Sequence, residues 1–145
     1  MEKTKTLRDD RKVNVKVRLA LLWVALMFLY IYNDILSMFQ PGHVAELVGG
    51  SIGGITFTQA MLFSAAALMA LPGLMVLLSI NLNAKINRAV NIAAGIFHIF
   101  VLVATQFVGE SAVWMYWRFY EILEGLLLLF IIWTAWKWPV ADARE

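Results

Sequence analysis

Long apolar stretches alternate with short polar ones along the chain. A helix needs roughly 20 apolar residues to cross the hydrocarbon core of a bilayer. Four stretches meet this length, at residues 19–39, 57–82, 89–108 and 114–136. Short connections between them make successive helices antiparallel neighbours. The sequence therefore predicts an all-α integral membrane protein, with a four-helix up-down bundle over residues 19–139 between tails at 1–18 and 140–145.

The first connection, residues 40–56, is rich in glycine. Its glycines surround Ser51 and Ile52, but no Lys-Ser or Lys-Thr pair follows them, so they do not form a phosphate-binding loop. We expect a flexible connection with one short turn of helix at Val44–Val48. The second connection is predicted as a polar turn at 83–88 and the third as a turn at 109–113.

The second span combines a proline with a run of small residues. Pro72 lacks an amide proton and is expected to kink the helix. Small side chains let helices approach closely; here they are Ser64, Ala65, Ala66, Ala67, Ala70 and Gly73. They fit either packing within the bundle or the contact face of a homo-oligomer.

The distribution of Lys and Arg predicts the orientation of the spans. Of the 12 Lys and Arg residues, 11 lie in the N-terminal tail, the second turn and the C-terminal tail. Cytoplasmic segments carry an excess of these residues. We therefore expect both termini in the cytoplasm, with basic tails that contact lipid headgroups.

Composition excludes several classes of protein. The chain has 61% hydrophobic and 15% charged residues, which lies outside the range of soluble domains. Its basic charge is a local tail on an apolar body, so no nucleic-acid partner is predicted. The absence of cysteine excludes disulfide and thiolate chemistry. His43 and His98 lie at different depths, which argues against a bis-histidine haem, and neither a metal site nor any other cofactor is predicted.

Ionisable residues within the spans are the candidates for function, because charge inside a membrane is costly and usually faces the interior of a bundle. Helical spacing places them on three faces. The first span contributes Tyr30, Asn33, Asp34 and Ser37, the third contributes Asn91, Gly95, His98, Leu102 and Thr105, and the fourth contributes Arg118, Glu121, Glu124, Gly125 and Leu128. Each face avoids lipid if it turns inward.

Two polar layers follow from these positions. We expect Arg118 to lie between Asp34 and Glu121, one cation shared by two carboxylates. With Tyr30 and Asn33, these residues form a candidate ligand- or ion-binding site. Glu124 has no obvious cation; we expect it to be protonated and hydrogen-bonded to His98 or to a tyrosine, as a proton-titrating pair. The alternative is a buried polar network that fixes helix register without any ligand.

Three runs of sequence carry a resemblance: VNVKVRLALLWVALMFLYIYNDILSMFQPG, MALPGLMVLLSINLNAKINRAVNI and YEILEGLLLLFIIWTAWKWP. With them the chain resembles a family of small bacterial four-span membrane proteins of unknown function, distantly similar to the DoxX-like proteins. The resemblance implies the four-helix fold and a bacterial cytoplasmic membrane. It implies no established reaction, although the DoxX-like proteins are associated with quinone-linked respiratory complexes.

Two functions are compatible with these features. The first is binding or transport of a small polar ligand or ion, in a homo-oligomer, with the intramembrane carboxylates exchanging protons. The second is an accessory or scaffold subunit of a larger membrane complex, without activity of its own. Paired carboxylates can do acid–base work, but no nucleophile, metal set or cofactor fingerprint accompanies them, so no enzymatic activity is predicted.

Overall fold

The computed structural model describes residues 13–107 and 114–138. The elements within these ranges are α1 Val15–Ser37, α2 His43–Val48, β1 Ser51–Ile52, β2 Ile55–Thr56, α3 Gln59–Asn81, α4 Ala84–Thr105 and α5 Met115–Trp136. The helices α1, α3, α4 and α5 are each long and apolar enough to cross a membrane. The prediction of four candidate membrane-spanning helices is therefore confirmed. The predicted turn at 109–113, the tail from 140 onward and most of the tail at 1–18 lie outside the described residues.

Side-chain caps set the start of three long helices. Asn14 accepts a hydrogen bond from the Lys16 amide at 2.9 Å, and Thr58 accepts one from the Met61 amide at 3.2 Å. Asn83 caps α4 in the same way, so α4 begins almost directly after α3. The predicted polar turn at 83–88 was wrong, because a cap at Asn83 starts the helix earlier than apolar character alone indicates.

The glycine-rich connection is more ordered than the sequence indicates. The predicted helical turn at Val44–Val48 is confirmed as α2. The expected flexible segment is instead an antiparallel hairpin of β1 and β2. Gly53 and Gly54 join the strands with φ values of 52° and 80°. These are left-handed conformations, which a tight two-residue hairpin turn requires and which glycine adopts without strain. The Gly53 amide donates to Glu46 Oε2 at 2.9 Å, which ties the hairpin to α2.

The long helices pack tightly at one end of the bundle. α1 contacts α3 and α5, and α4 contacts the same two helices. The buried apolar core comprises Leu19, Trp23, Leu26, Met75, Ala94, Leu128, Ile131 and Ala135. These residues come from the N-terminal halves of α1 and α4 and the C-terminal halves of α3 and α5. We call this region the closed end.

A buried polar network joins three helices at the closed end. Asn91 on α4 accepts from Trp23 Nε1 of α1 at 2.7 Å and from Ser79 Oγ of α3 at 3.2 Å. Asn91 Nδ2 donates to Asn87 Oδ1 at 2.6 Å, and Asn87 Nδ2 donates to the Ser79 carbonyl oxygen at 2.6 Å. All four side chains are fully buried. Because these polar groups are hydrogen-bonded to one another, burying them costs little free energy.

The outer surface of the bundle is apolar. Large hydrophobic side chains such as Leu21, Phe63, Phe100 and Ile122 are more than half exposed. Such a surface suits contact with lipid and is unusual for a soluble monomer. The exposed set includes the small residues Ser64, Ala65, Ala66, Ala67 and Ala70 of α3. Packing of these five residues within the bundle was therefore a wrong interpretation; Gly73 alone of that run is partly buried, against Met27.

The network at the closed end generates a stability prediction for Trp23→Phe. The substitution keeps an aromatic ring but removes the Nε1 donor to Asn91, which leaves a buried acceptor with fewer partners. We expect the free energy of unfolding to fall by about 1–3 kcal/mol. Thermal or denaturant unfolding in detergent micelles measures it. Trp133→Phe is the matched control, because Trp133 lies on the exposed surface; an equal loss in both variants would contradict the role of the network.

The close approach of α4 and α5 generates a second prediction, for Gly95→Ala. A Cβ at Gly95 would lie 2.7 Å from Ile132 Cγ1, so the two helices must separate or Ile132 must change rotamer. Overpacking of this kind typically costs about 1–3 kcal/mol. Gly125→Ala is the control in the facing helix, since its Cβ would meet Leu102 Cδ2 at an ordinary 3.6 Å. Unfolding midpoints of the two variants should differ, with only Gly95→Ala lowered.

Candidate functional site

The end of the bundle opposite the closed end contains a cavity of about 400 Å³. We call this the open end. The lining residues come mostly from the three predicted polar faces, with others from neighbouring positions of α4 and α5, from α3 and from the first connection: Tyr30, Asn33, Asp34 and Ser37 of α1; His43; Ile52; Met69 of α3; His98, Val101, Leu102, Thr105 and Gln106 of α4; and Trp117, Arg118, Glu121 and Glu124 of α5. All seven predicted site residues therefore line one cavity.

An ion pair occupies the rim of the cavity. Arg118 Nη1 lies 2.8 Å from Glu121 Oε2, one turn further along α5. The same guanidinium nitrogen donates to Gln106 Oε1, and Gln106 Nε2 donates to Glu121 Oε1 at 2.7 Å. The three side chains thus close a ring of hydrogen bonds between the C-terminal end of α4 and the start of α5.

Asp34 does not share this cation. No ion pair joins Asp34 to Arg118 within the described ranges, so the prediction that Arg118 lies between the two carboxylates was wrong. Gln106, at the C-terminal end of α4, takes the position expected for Asp34. Asp34 still lines the cavity from α1, where its side chain is exposed.

The floor of the cavity contains two buried groups with open hydrogen-bonding capacity. His98 is 1% exposed and Glu124 is 3% exposed. His98 Nδ1 pairs with the Tyr30 hydroxyl at 3.3 Å, while His98 Nε2 and Glu124 Oε1 have no hydrogen-bond partner among the residues the structure describes. The predicted hydrogen bond from Glu124 to His98 or to a tyrosine was therefore wrong for Oε1, and His98 instead bonds to Tyr30.

Aromatic rings fix the position of His98. The Tyr30 ring stacks on it with centroids 6.0 Å apart, and Trp23 and Phe97 meet it edge-on at 5.8 and 5.6 Å. A histidine with one ring nitrogen bonded and the other unpaired is an oriented group. It has capacity for one further partner at Nε2.

Glu124 reaches the floor through the geometry of α5. It lies one turn from Glu121, on the side of the helix that continues to buried Leu128. Because the helix continues inward there, the Glu124 carboxyl group lies deeper in the bundle than that of Glu121, which is partly exposed. A buried carboxyl group without hydrogen bonds or a cation is costly, so positions of this kind in membrane helices usually serve a function.

Residues of the first connection contact the mouth of the cavity. His43 Nε2 lies 3.2 Å from Ser37 Oγ, and Ser37 Oγ donates to the Asp34 carbonyl oxygen at 2.6 Å. Gln40 Nε2 donates to the Tyr116 hydroxyl across to α5. The position of α2 at the open end is thus fixed from both α1 and α5.

Several lining residues were not predicted from the sequence. Gln106 had a detectable signal, since it lies eight residues after His98 and so continues the same helical face. Trp117 precedes Arg118 but lies outside the predicted polar face of the fourth span. His43 begins the short helix α2 and Ile52 lies in the two-residue strand β1; elements this short show no periodicity that indicates which way a side chain points.

Together, the fold and the cavity define a small helical protein with four candidate membrane spans and a polar chamber at one end. Residues 8–142 match a family of unknown function, DUF6326, and the chain belongs to that family. No curated protein and no solved structure matches the chain. The expected link to the DoxX-like proteins is not among these matches.

The unpaired carboxyl group at the floor generates a prediction for Glu124→Met. Methionine has a similar shape and no polar atom to desolvate, so the free energy of unfolding is expected to rise by about 1–3 kcal/mol. Glu121→Met is the comparison, because it breaks the ring with Arg118 and Gln106 and should give no such gain. Unfolding in detergent micelles distinguishes the two. A large loss of stability in Glu124→Met would mean that Glu124 is a structural group.

Proposed function

We propose that the chain is an integral membrane protein that binds a small polar ligand or ion in the open-end cavity. The observation that carries the proposal is the pair of unpartnered, almost fully buried atoms at the cavity floor, His98 Nε2 and Glu124 Oε1. A purely structural network satisfies its polar groups, as the asparagine network at the closed end does. Buried groups with unused hydrogen-bonding capacity at the floor of a cavity are what a site for a small polar ligand requires.

The proposal includes an orientation and a topology. Lys16, Lys85, Arg88 and Lys137 all lie toward the closed end, and cytoplasmic flanks of membrane spans are rich in such residues. Arg88 and Lys137 also pack over the rings of Trp136 and Trp133, an arrangement suited to a membrane interface. We therefore propose that both termini lie in the cytoplasm of a bacterial cell and that the cavity of the up-down bundle opens to the outside.

The geometry favours binding over a continuous path across the membrane. Leu19, Trp23, Leu26, Leu128 and Ile131 fill the closed end and are fully buried. A ligand that enters the cavity therefore stops at Glu124 and His98, and passage further inward requires separation of the core. In this proposal Glu124 and His98 also exchange protons with the chamber, so that the floor adjusts its charge to its occupant.

A second candidate function is a subunit of a larger assembly, either of identical copies or with a different partner. The exposed small residues of α3, from Ser64 to Ala67, favour it, because small side chains permit close approach of another helix. Binding and assembly are compatible, since this face and the cavity involve different residues.

The natural absence of cysteine permits a direct test of the cavity. We expect Ser37→Cys, on the cavity wall, to react with a membrane-impermeant thiosulfonate reagent added outside intact cells. Thr56→Cys, exposed on the hairpin, should react from the same side. Ser79→Cys, within the closed-end network, should not react. Mass shift of the purified protein measures each reaction.

Two outcomes would contradict the proposal in different ways. If Thr56→Cys reacts while Ser37→Cys resists the reagent from both sides of the membrane, the cavity does not reach water and the polar residues are structural. If both variants react only after the cells are permeabilised, the orientation is reversed.

A further inference from the structure

The charges of the open-end cavity are unbalanced. Among the residues that the structure describes, three carboxyl groups line it, from Asp34, Glu121 and Glu124, against a single guanidinium, from Arg118. That guanidinium is already engaged by Glu121 and Gln106. Asp34 and Glu124 have no ion pair with any residue in the described ranges. An anionic ligand would meet two uncompensated carboxyl groups, whereas a cationic ligand would be attracted by them.

The buried residues at the cavity floor also favour a cationic ligand. His98 Nε2 and Glu124 Oε1 lie at the depth where a ligand would lose most of its water, and neither has a partner in the described part of the chain. The Tyr30 hydroxyl and ring lie against His98. A primary ammonium carries several N–H donors and a positive charge, so it can pair with a carboxylate while it rests against an aromatic face.

The walls argue against a bare metal ion. Between the floor and the rim they include Val101, Leu102, Met69 and the ring of Trp117, which offer no oxygen ligands. The described part of the chain contains no group of three or more His, Cys, Asp or Glu residues placed to hold a metal. Apolar walls with a few convergent polar groups are instead the usual environment of a small organic ligand.

We propose that the cavity is selective for a small organic monocation, a protonated alkylamine whose ammonium group pairs with Glu124 and whose carbon chain lies along Leu102, Val101 and Trp117. This rests on the proposed function and adds the chemical class of the ligand. Asp34 at the mouth attracts the cation, and the ring of Arg118, Glu121 and Gln106 borders its entry.

The first test is calorimetric titration of the full chain in lipid nanodiscs with three probes of similar size: butylammonium, butyramide and butyrate. We expect butylammonium to bind and the neutral and anionic probes to bind about tenfold more weakly or not at all. Glu124→Gln, which keeps the shape of the side chain, should weaken butylammonium about tenfold. Glu46→Gln, the same change in an acid that does not line the cavity, should leave its affinity unchanged.

A second test needs no change at the floor. Ser37→Cys is treated with two thiosulfonate reagents, one with a trimethylammonium group and one with a sulfonate group. The ratio of their rates is divided by the same ratio at exposed Thr56→Cys, which removes their intrinsic difference in reactivity. We expect the cationic reagent to be favoured about tenfold at Ser37→Cys.

The outcomes separate this inference from the proposed function. The cation preference is overturned if Ser37→Cys reacts with both reagents at equal corrected rates. It is also overturned if butyrate or butyramide binds more tightly than butylammonium. Either result leaves the proposal of a polar ligand site intact. Equal binding of butylammonium to Glu124→Gln and the natural chain overturns the role of Glu124. Both proposals are overturned if Ser37→Cys reacts with neither reagent and none of the three probes binds in the calorimetric titration.

Discussion

The structure depends on the cost of placing polar side chains in helices whose outer surface is apolar. Each such group must turn inward and then find a partner, because neither lipid nor a dry core provides one. The bundle meets this constraint differently at its two ends, although one neutral hydroxyl at the closed end, Thr134 Oγ1, also has no partner among the described residues. At the closed end, Asn87 and Asn91 bond to each other and to two neighbouring helices. At the open end, Glu124 and His98 are turned inward but keep unpaired atoms within the described part of the chain.

This contrast is the main reason to propose that one end of the bundle binds a ligand and that the other end provides stability. An asparagine side chain has two donors and an acceptor, so a few asparagines with a serine and a tryptophan can pair among themselves. A carboxyl group and a half-bonded imidazole, each without a fixed partner, store unfavourable free energy that an occupant can recover. The cavity beside them provides the space that such an occupant needs.

Much of this arrangement could be predicted from the sequence, and the errors have a common cause. Helical spacing correctly brought Tyr30, His98 and Glu124 to one chamber, and the Arg118–Glu121 pair follows from their separation by three residues. The wrong predictions at the site concerned contacts between helices. Whether Arg118 meets Asp34 or Gln106 depends on how α1 and α4 are rotated about their axes, and periodicity fixes only which residues share a face. For the same reason, nothing in the sequence indicated that Trp23 is the partner of Asn91.

Trp23 links the two ends of the bundle. Its indole nitrogen bonds to Asn91 in the closed-end network, and the edge of its ring packs against His98 at the cavity floor. His98 is also held by Tyr30, from the same helix as Trp23 and two turns further along. The rotamer of His98, and with it the direction of Nε2, is therefore set by a side chain that is itself fixed by a fully paired network. The rigid end thus orients the cavity floor in advance. Under the proposed binding function, little conformational entropy is then lost at the floor when a ligand binds.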